Sequence, residues 1–231
     1  MTDNTKPMDS DQTKALQLAT EAGHILLENG AEIGRVEKTM EHIASAYGID
    51  DESFFVLSNG IFATGNHYAR AEFIPIKGSR LDKVVGVNQV SRDVIDSARN
   101  GKPLPLDEVS SRLEAVRTLK NKPWWELVAG IAVGVSSFCI LFGGSFVDAS
   151  ITLACGLLMG VYITFISPTM SRIFSNLLGG MLGGLLCIVG LLTIPLHLHL
   201  PNMIIGTIIA LVPGVPFTNG IRDLANEQIL E

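Results

Sequence analysis

The stretch from Leu211 to Asp223, LVPGVPFTNGIRD, closes an apolar run with residues that interrupt a helix at membrane depth. Pro213 and Pro216 lack an amide donor and Gly214 lacks a side chain, so the hydrogen-bond ladder breaks just before Thr218, Asn219, Arg222 and Asp223. Backbone groups freed in this way, with Thr218, Asn219, Arg222 and Asp223 beside them, resemble the broken helices from which many secondary transporters build a binding site, which makes this segment the candidate functional site. The same residues also fit a plain helix end, with prolines and glycine marking the exit and the two charges solvated.

Other polar residues offer less. Glu32, Arg35 and Glu37, and further on Asn88 and Arg92, could contact a ligand or a membrane portion, but solvated helix faces account for them equally. His24, His42 and His67 share no metal-type spacing, and His197 and His199 alternate between Pro195 and Pro201. Cys139, Cys155 and Cys187 all fall inside apolar runs and read as small core residues rather than disulfides or ligands. No metal and no cofactor is expected. The apolar runs hold no paired carboxylates, no Ser/His or Cys/His arrangement and no HExxH, which argues against an enzyme.

Composition divides the 231 residues sharply. Of the 40 charged residues (17 basic, 23 acidic), only Glu126, Asp148, Arg172, Arg222, Asp223, Glu227 and Glu231 lie beyond Pro123. A net charge of −6 without a basic domain or patch excludes a nucleic-acid footprint. The start, MTDNTKPMDSDQTK, lacks the basic-then-apolar order of a signal peptide, so the front half is expected to stay in the cytosol.

After an expected disordered tail over residues 1–10, helical spacing runs from Gln12 to Asn29 and again from Ala31 to Tyr47, each stopped by a glycine. Asn59-Gly60 between SFFVLS and IFATG predicts a hairpin with positive φ at both turn residues, and Tyr68 to Ile76 predicts a third strand. Ser79 and Asp82 form a capping-box pattern opening a helix to Asn100, and another helix follows Pro105. These elements make an α+β cytosolic domain over residues 11–122, about 110 residues and large enough for its own core.

Residues 123–231 read as an α-helical transmembrane bundle of four spans, at about 124–142, 149–166, 173–194 and a shorter, broken 203–217. Trp124 and Trp125 suit an interfacial anchor. Gly130/Gly134, Gly156/Gly160, Gly179/Gly183 and Gly180/Gly184 are small residues four apart, the pattern that lets helices approach closely where lipid gives no hydrophobic drive. Glu126 and Asp148 sit at span ends, where hydration makes a charge cheap.

Four ordered segments carry a family resemblance: GAEIGRVEKTMEHIASAYG (Gly30 to Gly48), NGIFATG (Asn59 to Gly65), VNQVSR (Val87 to Arg92) and LVPGVPFTNGIRDL (Leu211 to Leu224). The chain resembles the threonine/serine exporter family, and more narrowly the larger component of its split, two-gene form. The resemblance implies a bacterial inner-membrane secondary exporter of small amino acids or small dicarboxylates such as succinate, driven by the proton motive force. It also implies a second small polytopic membrane protein that completes the transporter, beside the small-molecule substrate and the lipid bilayer; association of like chains stays open. Carried onto this sequence, the terminal motif falls on Pro213, Gly214, Thr218, Asn219, Arg222 and Asp223, and the cytosolic one on Gly30, Ala31, Glu32, Arg35, Val36 and Glu37. The family usually continues into a fifth span, whereas this sequence ends at Glu231, so a last helix is expected to be truncated away or supplied from elsewhere. The alternative is a membrane-anchored sensor or regulatory subunit of a transport complex.

Orientation follows from the basic residues. Arg112, Arg117, Lys120 and Lys122 precede the first span, Arg172 lies between the second and third, and Arg222 follows the fourth, while 143–148 and 195–202 hold no Lys or Arg. The positive-inside rule puts the former group in the cytosol. An impermeant thiol reagent on intact cells is therefore expected to label cysteines placed at Ser145 or His197 and to spare one at Ser171; the reverse pattern inverts the topology.

Overall fold

The structure, a computed structural model, describes residues 10–50, 53–65, 68–75, 77–194, 198–212 and 214–227, with the side chains of Pro216 and of residues 223–227 outside the description. The expected tail at 1–10 falls outside it except for Ser10, which opens the first helix; His67, Pro195, His197 and Pro213 also lie outside the described residues. The described chain is mostly helical, with one small sheet. It divides into two compact units: residues up to Lys120 together with those from Val215, and Asn121–Gly214.

In the first unit α1 (Ser10–Glu28) is the central element. Its apolar residues recur at three- and four-residue spacing on more than one face, and Leu16, Ala19, Ala22 and Leu26 are fully buried. Against it pack α2 (Ile33–Ala46), α3 (Leu81–Arg99) and α4 (Leu106–Arg117). Gly30, Gly48 and Gly101 end three of these helices at φ of 77°, 73° and 70°, where any other residue would be strained.

Strands β1 (Ser53–Leu57), β2 (Gly60–Gly65) and β3 (Tyr68–Phe73) form an antiparallel sheet in the order β1-β2-β3. Period-two alternation buries Phe54, Val56, Ile61 and Ala63 on one face and leaves Phe55, Leu57 and Phe62 exposed on the other. The hairpin turn is shifted by one residue from the expected Asn59-Gly60. Leu57 pairs with Gly60, so Ser58 and Asn59 make the turn and Gly60 begins β2 without positive φ. Gly60 is needed for a different reason, because a Cβ there would lie 3.0 Å from the Glu72 carbonyl oxygen. The capping box at Ser79 is likewise not formed: Arg80 is the N-cap, and its guanidinium holds Asp82 at 2.9 and 2.7 Å. That contact keeps the Asp82 carboxyl well below its usual range, at about 2.

The second unit contains three helices long and apolar enough to cross a membrane: α5 (Trp124–Leu141), α6 (Phe146–Val161) prolonged through a π turn and a 3-10 turn to Thr169, and α7 (Arg172–Thr193). The expected fourth span is not one continuous helix. Helix α8 (Leu200–Ile208) ends in a 3-10 turn at Leu211, Val212 is extended, and a separate helix α9 (Gly214–Glu227) begins after it. The break falls after Val212, where the sequence has Pro213, while Pro216 sits in the first turn of α9, where its missing amide is tolerated. Helix α9 groups with the first unit.

Four of the eight glycines expected to pack helices do so. A Cβ at Gly156 would come 2.8 Å from the Ala132 Cα, and one at Gly160 would come 3.0 Å from the Val128 Cα, so α6 lies directly on the α5 backbone. Gly179 faces Leu211 and Tyr162, and Gly183 faces Thr207. At Gly130, Gly134, Gly180 and Gly184 a Cβ would meet nothing within 4 Å, so the packing expected there is not made inside this chain. Gly206, outside the four-residue pattern, takes such a role instead, with the Val135 carbonyl oxygen 2.9 Å from a Cβ built on it. The three cysteines are buried and free, as their apolar neighbours suggested.

A leucine at Gly156 must push α6 off α5, which costs about 1–3 kcal/mol or more for overpacking, whereas a leucine at Gly180 meets open space. Thermal unfolding of the purified chain should show a marked drop for Gly156→Leu and little change for Gly180→Leu; equal losses would contradict this packing.

Candidate functional site

The turn between α1 and α2 brings the two sequence motifs together. Helix α1 ends in a Schellman arrangement, with the Ala31 amide donating to the Leu26 carbonyl at 3.0 Å and the Gly30 amide to the Leu27 carbonyl at 3.1 Å. Asn29 is buried and donates its side-chain amide to the Ile25 carbonyl at 2.7 Å. These bonds fix the backbone so that the Gly30 carbonyl points outward and Glu32 stands at the N-cap of α2.

Helix α9 docks on this turn. Asn219 donates its side-chain amide to the Gly30 carbonyl at 3.3 Å, and Arg222 donates to the Glu32 carboxylate at 2.6 Å, across 190 residues of sequence. Residues three apart lie on one helical face, so both contacts come from the same side of α9. The side chain of Glu32 is 12% exposed and that of Arg222 56%, so the pair is half-screened by solvent. Glu32 makes no capping bond to α2. Its carboxylate is committed to the arginine instead.

Thr218 is exposed and returns its hydroxyl to the Val215 carbonyl at 3.0 Å, and a Cβ at Gly214 would meet nothing within 4 Å. The position of Pro213 and the side chain of Asp223 lie outside the described residues. The partner of the Arg222 guanidinium that the structure shows is Glu32. Glu37 has an architectural task, accepting the Val56 amide at 2.9 Å and so tying α2 to β1. Arg35 is exposed on α2, Asn88 is half-buried on α3, and Arg92 is exposed and bonded to Gln89.

A second polar cluster, in the Asn121–Gly214 unit, was not legible in the sequence. Asp148 is fully buried at the start of α6 and forms a reciprocal capping box with Ser145. It also accepts the His199 amide at 3.0 Å and pairs with His199 Nδ1 at 2.9 Å, which links the starts of α6 and α8. A carboxylate with this many fixed donors is a clamp between helices. The i, i+3 spacing of Ser145 and Asp148 was the available signal for half of it. Among the described residues no group of His, Cys, Asp and Glu could hold a metal.

The motif that supplies Asn219 and Arg222 and the motif that supplies Gly30 and Glu32 both fall within one comparison. A family model described as "Putative threonine/serine exporter" (ThrE) matches residues 17–231. The chain belongs to the ThrE family. It is thus a multi-pass membrane protein of a transporter family, consistent with its apolar helices. It is also similar to the Pheromone-regulated membrane protein 10 of Pichia sorbitophila, at 26% identity over 158 residues, 65% of this chain. The chain spans about 15% of the length of that relative. No solved structure matches.

Half-screened pairs of this kind contribute about 1 kcal/mol or less. In this ThrE chain, Arg222→Glu and Glu32→Arg are each expected to loosen α9, seen as faster proteolysis after residue 214, and the double exchange to restore protection. A double exchange as sensitive as either single variant would mean that the pair does not hold α9.

Proposed function

We propose that the chain is one component of a bacterial inner-membrane secondary exporter for small amino acids such as threonine and serine, or for small dicarboxylates such as succinate, driven by the proton motive force. In this reading the first unit is a soluble domain in the cytoplasm, and a second small polytopic membrane protein completes the transporter. The observation that carries it is the convergence of Asn219 and Arg222 on Gly30 and Glu32, directly after the interruption of the last apolar helix. Pro213, Gly214, Thr218 and Asp223 belong to the same proposed substrate pathway.

The chemistry is an exchange of partners. Arg222 is the group that attracts a substrate carboxylate, and Glu32 occupies it when no substrate is present. A substrate carboxylate replaces Glu32 on the guanidinium, and the Asn219 amide, drawn from the Gly30 carbonyl, offers a second polar contact. A neutral-to-charged hydrogen bond is worth about 1.5–3 kcal/mol, enough to set affinity in such an exchange without making release slow. The open glycine faces at Gly130/Gly134 and Gly180/Gly184 support a partner in the membrane, because close approach to another helix is available there and unused within the chain.

The test is efflux from cells loaded with labelled threonine, serine or succinate, with and without this chain and its partner protein. Asn219→Ala and Arg222→Ala are expected to lower efflux about tenfold or more at normal membrane levels, the loss of one charge-assisted contact. Arg222→Lys is expected to recover part of it, since the point charge remains and the fork is gone. Wild-type efflux in all three at equal expression would take the α9 turn off the transport path.

A further inference from the structure

We propose that the first unit carries a binding site for a free α-amino acid in the cleft bounded by α1, β3 and the end of α4, separate from the α9 turn. The cleft has a volume of about 490 Å³. Glu21 and His24 face it from α1, three residues apart on one helical side, with Gln17 one turn before them. Across from them stand Arg70 and Glu72 on β3, and Arg117 closes the end.

Two arginines and two glutamates give the cleft separated charges of both signs and no net charge beyond that of His24. A dicarboxylate would meet Glu21 and Glu72, and a polyamine would meet the arginines. A ligand with both an ammonium and a carboxylate satisfies each sign. Glu72 is already committed, pairing with His24 Nδ1 at 2.8 Å and with Arg70, and its side chain is only 18% exposed. Burial pushes this carboxyl up, but the His24 bond and the Arg70 charge outweigh it and hold the group below its usual range, so it is ionised at neutral pH.

Arg117 and Glu21 are the adaptable pair. Their heads stand 3.5 Å apart, the longest of the ion pairs among the described residues, with side chains 54% and 30% exposed. An α-amino acid carries its two charged groups on neighbouring atoms. It can place its carboxylate on Arg117 and its ammonium on Glu21 with little separation of the two side chains, replacing one weak pair by two charge-assisted ones. A zwitterion with the charges several carbons apart would have to splay them. Phe73, 74% exposed at the rim, offers an apolar wall for a short side chain.

This site stands whether or not the export reading does, and equilibrium dialysis of the purified full chain in nanodiscs tests it. The probes are labelled threonine, serine and alanine, with γ-aminobutyrate and succinate as competitors. In an Arg222→Ala background, which removes the proposed transport-path contact, binding of an α-amino acid is expected to persist, with γ-aminobutyrate at least about tenfold weaker and succinate inactive. Adding Glu21→Gln or Arg117→Met to that background is expected to weaken it about tenfold or more at unchanged thermal stability. No binding by the wild-type chain at about 10 mM, equal binding of γ-aminobutyrate, binding unchanged when the cleft substitutions are added, or binding lost in Arg222→Ala would each overturn the proposal. The last outcome would place the ligand on the transport path instead.

Discussion

Gly30 reverses the chain between α1 and α2 at a φ of 77°, and whatever docks on that turn depends on a backbone that only glycine holds without strain. A Cβ at this position would also come 3.1 Å from the Ser79 hydroxyl oxygen, so the turn is tight from outside as well as strained from within. The segment before α3 adds two anchors: the Lys77 amide donates to the Glu28 carbonyl, and the Arg80 amide to the Asn29 carbonyl. The end of α1 and its turn therefore collect bonds from Gly30 and Ala31, from the β3–α3 connection and from α9. A rigid turn of this kind presents one carbonyl and one carboxylate in fixed places, which a more mobile loop could not do.

The second unit obeys a different constraint. Its helices gain little from leaving lipid for one another, so their association rests on dispersion and on close backbone approach at small residues. That explains why Gly156 and Gly160 lie on the α5 backbone and why Gly206 meets the same helix from α8. Polar groups then join the helices at particular points: Asp148 with His199, and Tyr162, which donates to the Ser175 carbonyl at 2.7 Å. Asp148, expected at a hydrated span end, is instead fully buried, and Tyr162 is buried as well; a buried polar group without a partner is costly, so these contacts also specify which helices meet.

Local features were legible in the sequence because they rest on single residues or short periods. The glycine stops after α1 and α2, the paired strands β1 and β2, and the three long apolar helices all follow from φ preference or periodicity, whereas the alternation expected from Tyr68 to Ile76 has no buried face in β3. The shift of the hairpin turn was not legible, since Asn59-Gly60 satisfies a turn and Gly60 equally satisfies a close approach by the Glu72 carbonyl. Four-residue glycine spacing showed where close packing is allowed, but both faces of α7 carry it, and only the fold shows that Gly179 and Gly183 use it. The long-range pairs, Arg222 with Glu32 and Asp148 with His199, leave no period and no spacing to read. The residues of the first pair were singled out for their chemistry, yet nothing in the sequence said that they touch.

The two kinds of ion pair in this chain are suited to different work. Asp148 is fully buried and bonded from two sides, by the Ser145 amide and hydroxyl and by the His199 amide and ring, so the loss of one partner leaves a buried carboxylate with fewer donors. Arg222 is more than half exposed, and water competes for it at every moment. Its bond to Glu32 helps to place α9 on the turn after α1 and contributes about 1 kcal/mol or less.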